Sequence, residues 1–221
     1  MAPSGTLAKL VPPPLRPVAL FTLGYLLAAT FAAFWLGNAE FVFYIAVMLA
    51  LIAVVFVVHA RVGLSTGLIW ALSVWGAMHM AGGLVTLPPD WPTDGGQAVL
   101  YSWWIIPGAE AGTRGWLKYD QVTHAYGFAV ATWLCWQGLR GAVTEGLGAS
   151  PAAALRPTPG LLTLVAIAGM GLGALNEVVE FTATRFMDTN VGGYENTGWD
   201  LVFNTLGATG AALAIGWRER R

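Results

Sequence analysis

The chain has 221 residues, of which 56% are hydrophobic and only 10% charged. Soluble domains carry about 25% charged residues, so a chain this poor in charge cannot cover a water-facing surface. A net charge of −1 argues against a nucleic-acid partner, and a single cysteine, Cys135, excludes an intrachain disulfide and a thiolate metal site.

A bilayer-spanning helix needs about 20 mostly apolar residues. Six such runs occur in order: Pro17–Leu36, Glu40–His59, Ser65–Thr86, Asp120–Leu139, Gly160–Phe181 and Trp199–Trp217. They predict an all-α fold: a polytopic membrane bundle of about six transmembrane helices over residues 17–217. An N-terminal tail (1–16) precedes it and a basic tail (218–221) follows. Lys9 and Arg16 precede the first run as in a signal peptide, but the run exceeds the ~7–15 residues of a signal core. It is read as a retained first helix. The long connection Leu87–Tyr119 carries Pro88, Pro89 and Pro92, then Tyr101, Trp103, Trp104 and Trp116, and reads as a segment in the outer interface.

Basic residues set the orientation. With the N-terminus inside, Lys9, Arg16, Arg61, Arg140, Arg156, Arg218, Arg220 and Arg221 are cytoplasmic, and only Arg114, Lys118 and Arg185 are outside. Both termini are then cytoplasmic, and the expected location is a bacterial inner membrane. Cys135 falls inside an apolar run and reads as a small hydrophobe. Glu40 and His59 read as interfacial end residues, and Asp94, Glu110, Asp188 and Glu195 as solvated loop residues.

That orientation brings the remaining polar residues to one depth. His79 lies in the outer third of the third run. Asp120 and His124 open the fourth, Asn176, Glu177 and Glu180 close the fifth, and Asp200 and Asn204 open the sixth. Residues three or four apart share a helix face, about 4.5–6 Å apart along the axis. Asp120 with His124, Glu177 with Glu180, and Asp200 with Asn204 therefore each form a polar stripe. A charged group at a span centre costs roughly 2.5–3.5 kcal/mol, so clustered ones must meet each other, water, a proton or a cation. A polar pocket opening outward between the last four helices is the expectation. Gly169 and Gly173, and Gly207 and Ala211, supply small-x-x-x-small steps for close packing there.

Imidazole and carboxylates at such spacings on facing helices can build a metal site. His79, Asp120, His124, Glu177, Glu180 and Asp200 are the candidate ligands, for zinc, manganese or iron. Asn176 and Asn204 would orient ligands or bind substrate. Without metal, His124 held by Asp120 could act as a general base and Glu177 or Glu180 as the acid. Plainer readings exist for the same residues. Asp120 and Asp200 suit helix caps, and Glu177 and Glu180 could bridge to Arg185 or His79.

Three motifs carry a resemblance: Tyr119-Asp120-x-x-x-His124-x-x-Gly127, Asn176-Glu177-x-x-Glu180-Phe181, and Asp200-x-x-x-Asn204-x-x-Gly207-Ala208. Together with the step from His79 to Gly82, they resemble VanZ-like membrane proteins, and more closely the YjdF-like bacterial inner-membrane family. The chain departs at Glu180, where VanZ-like proteins usually have Gln. It departs again at Gly192-Gly193-x-x-Asn196-Thr197-x-x-Asp200, where two of three acids of the YjdF-like run are replaced. The resemblance implies a role with envelope lipids or cell wall and no settled reaction. Three functional readings stand: an enzyme acting on a lipid or lipid-linked envelope substrate, a proton- or cation-coupled transporter, and a subunit held by a membrane-protein partner. A haem between His79 and His124 is a further formal option.

Overall fold

Local chemistry sets the helix ends. In the computed structural model, which describes residues 12–95, 98–109, 114–147, 155–189 and 193–219, six long helices follow one another. They are α1 (Arg16–Trp35), α2 (Ala39–Val62), α3 (Thr66–Leu84), α4 (Tyr119–Leu147), α5 (Pro159–Ala183) and α6 (Tyr194–Arg218). Asn38, Ser65 and Thr158 cap α2, α3 and α5 by accepting from the backbone N–H groups of Phe41, Leu68 and Leu161. Gly63 ends α2 at φ 68°, a left-handed conformation that only glycine adopts without strain. Lys9, Glu110, Gly192, Arg220 and Arg221 lie outside the described residues.

Two helix triplets result. α1 packs on α3 and α2, while α4, α5 and α6 pack mutually, most extensively α4 against α6, and α3 joins the triplets through α4. Ala29, Ala33, Phe41, Tyr44, Ile45 and Met80 form the core of the first triplet. Trp136, Val165 and Ile215 form that of the second, with Cys135 packed beside them as a small hydrophobe. Leu27, Phe31, Ile167, Phe181, Leu206 and Leu213 point outward and are exposed. Four helices, the first three and α5, are long and apolar enough to cross a membrane. α4 and α6 are of comparable length but carry the polar stripes.

The all-α expectation needs one amendment. The connection after α3 folds over the end of the bundle, and its β1 (Trp104–Ile106) pairs antiparallel with β2 (Leu117–Lys118). The amide of Tyr119 bonds to the carbonyl of Trp103 at 2.9 Å, fixing where α4 starts. The expected fourth run ends at Leu139, whereas α4 continues to Leu147, because Arg140, Thr144 and Glu145 extend the helix beyond its apolar part.

Small residues set the closeness of α4, α5 and α6. A side chain on Gly207 would strike the carbonyl of Ala125, and one on Gly169 would strike Thr132. One on Gly173 would meet the Asn204 amide at 2.8 Å. Gly207→Val therefore forces backbone apart rather than a flexible side chain. Its cost should reach at least the ~1–3 kcal/mol of ordinary overpacking, and the thermal midpoint in detergent should fall by several degrees.

Candidate metal centre at His124

The second triplet brings six of the eight sequence-identified residues to one place. His124 lies at its centre, one turn into α4 from Asp120, with Asp120 Oδ1 3.5 Å from its Nε2. Asp200 Oδ1, from α6, is 3.9 Å from the same nitrogen. The opposite nitrogen, Nδ1, lies 3.0 Å from Asn204 Oδ1 and 3.7 Å from Glu177 Oε1. Glu180 completes the second side: one ligand atom each from His124, Glu177 and Glu180 lie within 4.8 Å of one another. The same holds for Asp120, His124 and Asp200.

With Asn204 Oδ1 as acceptor, His124 donates from Nδ1, while the other amide atom, Asn204 Nδ2, is buried without a hydrogen-bond partner among the described residues. In a neutral ring Nε2 then presents a lone pair, and it faces the oxygens of Asp120 and Asp200. That arrangement is relieved either by a proton on Nε2, which makes the ring a donor to Asp120, or by a metal cation between them. Asp200 is 1% exposed, and its Oδ1 has no hydrogen-bond partner among the described residues; neither do Glu177 Oε1 and Oε2. A buried carboxylate oxygen without a donor loses its hydration with nothing in return. The donor set is oxygen and imidazole nitrogen, suited to zinc, manganese or iron. Asn204 stands where a metal-ligating histidine usually finds its orienting partner, on the other ring nitrogen.

The two remaining residues are placed differently. Asn176 donates to Glu180 Oε1 at 2.7 Å, so it orients that carboxylate from within the same helix. His79 is outside both ligand groups. Its Nδ1 is 2.5 Å from the Tyr101 hydroxyl, and its ring packs against Tyr44 and Phe41. Tyr101 reaches it because Gly82, one helical turn on, leaves room for the phenol ring. Asp200 is not a cap, since α6 begins six residues earlier at Tyr194. Neither glutamate pairs with Arg185 among the described residues; that guanidinium lies over the Phe181 ring.

Three residues join the site that the sequence reading left out of it. Asn196 sits one turn before Asp200 and donates to Asp200 Oδ2 at 2.5 Å and to Asp120 Oδ2 at 3.4 Å. Lys118 donates to Asn196 Oδ1 at 2.5 Å and to Asp94 Oδ2 at 3.0 Å, and lies 3.5 Å from Asp120 Oδ2. Asp94, expected as a solvated loop residue, is thus tied to the pocket rim. The stripe Asn196-x-x-x-Asp200-x-x-x-Asn204 was visible in the sequence as i, i+4, i+8 once the helix is started early enough. Glu40, expected at the interface, is instead 5% exposed.

With that geometry in place, one comparison is informative. Residues 17–221 match the family described as predicted membrane protein (DUF2238). The chain belongs to that family. Among curated proteins and solved structures nothing matches. The match runs over all six helices, so in this DUF2238 protein the polar cluster lies within the part of the chain that the membrane-protein family covers.

At the rim of this DUF2238 protein, burial alone would depress the Lys118 ammonium, but the charges of Asp120 and Asp94 outweigh it and the net shift is upward. A raised folded-state pKa gives stability that is present in full below the ordinary lysine range and is lost only as pH climbs through the raised value. Lys118→Met should therefore destabilise at neutral pH. Removing one partner of a buried pair typically costs about 3–5 kcal/mol. The thermal midpoint at pH 7 should drop, and the difference from the parent should shrink at strongly alkaline pH.

Proposed function

We propose that this chain spans a bacterial inner membrane six times with both termini in the cytoplasm. In this reading it carries a divalent-metal centre near the outer face and uses it on a lipid or lipid-linked envelope substrate. The observation that carries this reading is the convergence of His124 Nε2 with Asp120 Oδ1 and Asp200 Oδ1, at 3.5 and 3.9 Å, where Asp200 Oδ1 is buried without a hydrogen-bond partner among the described residues. Asp120, His124 and Asp200 hold the metal, and Glu177 and Glu180 line its second side. The polar motifs resembling VanZ-like and YjdF-like proteins are the residues that make up this cluster, which supports an envelope role.

A metal in such a site lowers the pKa of bound water and polarises a phosphoryl or carbonyl oxygen. The chain's own residues do the remaining work. Asn204 holds the His124 ring in one tautomer. Asn176 orients Glu180, which with Glu177 can take up or deliver a proton on the other side of the ring. Lys118, buried and bonded to Asp94 and Asn196, offsets part of the carboxylate charge of Asp120. The basic-residue bias places this end outside, within reach of outer-leaflet head groups.

The test is a turnover screen on detergent-purified protein with phospholipids and polyprenyl phosphates, reading released phosphate or head group, with and without a chelator. Metal-dependent release that disappears in the His124→Ala variant supports the enzyme reading. Metal binding without turnover of any of these substrates would overturn it in favour of cation transport or of a subunit role.

A further inference from the structure

A cavity of about 890 Å³ lies at the end of the bundle away from His124, walled by the end of α2, the start of α3, most of α4 and the end of α6. Arg140 is 20 residues after Asp120 on one helix, which puts the two ends about 30 Å apart. This cavity is therefore separate from the His124 cluster. Its size falls within the ~300–1,000 Å³ of sites that enclose small molecules.

Its lining combines charged and apolar groups. Three arginines, Arg61, Arg140 and Arg218, and Gln137 line it, with Glu145 and Glu219 as the only acids. Glu219 is already engaged: its Oε1 accepts from Arg140 and from the Trp136 indole, each at 2.8 Å. Arg61 and Arg218 have no ion-pair partner among the described residues, which leaves two guanidinium groups against Glu145. The rest of the wall is mostly apolar: Ala71, Val130, Ala211 and Ala214, with the rings of Trp133 and Trp136. Guanidinium groups beside an apolar wall are the complement of an anionic amphiphile. Guanidinium groups bind phosphate with two parallel hydrogen bonds, and basic pockets between membrane helices at the cytoplasmic side recognise anionic lipid head groups.

We infer that this cleft binds an anionic phospholipid, its phosphate at Arg61 and Arg218 and an acyl chain along the apolar wall between α4 and α6. The inference does not depend on a metal at His124. Both arginines are exposed, so replacing them leaves the packing intact.

The test uses the full chain in detergent. Native mass spectrometry and thermal shift are measured with phosphatidylglycerol, with phosphatidylcholine of the same acyl chains, and with glycerol phosphate as the head group alone. Phosphatidylglycerol should bind at least tenfold more tightly than the other two, and the Arg61→Gln/Arg218→Gln variant should lose that preference while still eluting as a folded species. Equal binding of both lipids, or phosphatidylglycerol binding that survives the double substitution, would overturn the inference. Glycerol phosphate binding as tightly as the lipid would overturn it too, since the site would then be one for a soluble anion.

Discussion

Metal-stripped protein should gain thermal stability when zinc, manganese or ferrous iron is returned, and His124→Ala should abolish that gain. A ligand at 1,000 times its dissociation constant stabilises by about 4.1 kcal/mol. For a chain of this size each kcal/mol moves the midpoint by roughly 2–4 °C, so the expected rise is about 8–16 °C. His124 is the one residue common to both groups of candidate ligands, so its loss dismantles either arrangement. Asn204→Ala is the companion variant. It leaves every ligand in place but frees the ring, and loss of such an orienting partner typically weakens metal binding by about 10–100-fold. The two variants therefore differ in kind: no shift for His124→Ala, and for Asn204→Ala a full shift at correspondingly higher metal concentration.

Asp200→Asn should reverse its sign with metal. The side chain is 1% exposed and its Oδ1 has no donor among the described residues, so without a cation one of its two oxygens is buried and unsatisfied. The amide has the same shape, can keep its oxygen towards Asn196, and removes the carboxylate charge. Replacing buried charge by a neutral group of similar volume is neutral or stabilising, by about 1–4 kcal/mol in known cases. Metal-free Asp200→Asn should thus melt at or above the metal-free parent. With metal present the order inverts, because the variant lacks an anionic ligand and should bind at least about 100-fold more weakly, beyond what an orienting partner alone supplies. Thermal melts of both proteins with and without metal read all four values. A variant that is less stable than the parent in both conditions would mean that Asp200 serves packing alone.

The helices were legible in the sequence because lipid imposes a length and a composition on each span. The residues His124, Asp120 and Asp200 were legible because helical periodicity puts residues four apart on one face, and the structure brings them together. Tyr101 was not legible. It sits in a connection without periodicity, and only the fold of that connection over the bundle end carries its hydroxyl to His79. Lys118 and Asp94 escaped for the same reason, since their pairing depends on the β1–β2 hairpin and not on spacing. Asn196 was missed because Tyr194 to Gly198 reads as loop by composition. The helix begins there nonetheless, with the stretch held by the contacts that Asn196 makes to Lys118, Asp120 and Asp200. Glu40 shows the converse: a charge at a helix start looks interfacial in sequence, yet the first triplet packs around it.

The central claim is that Asp120, His124 and Asp200 hold a metal. The most direct measurement is elemental analysis of detergent-purified protein, prepared without chelators, beside an Asp120→Ala/His124→Ala double variant. Close to one transition-metal ion per parent chain is expected, and none in the variant. A parent protein without metal, or a variant that retains it, would contradict the claim and leave the cluster as a proton-titrating or docking site.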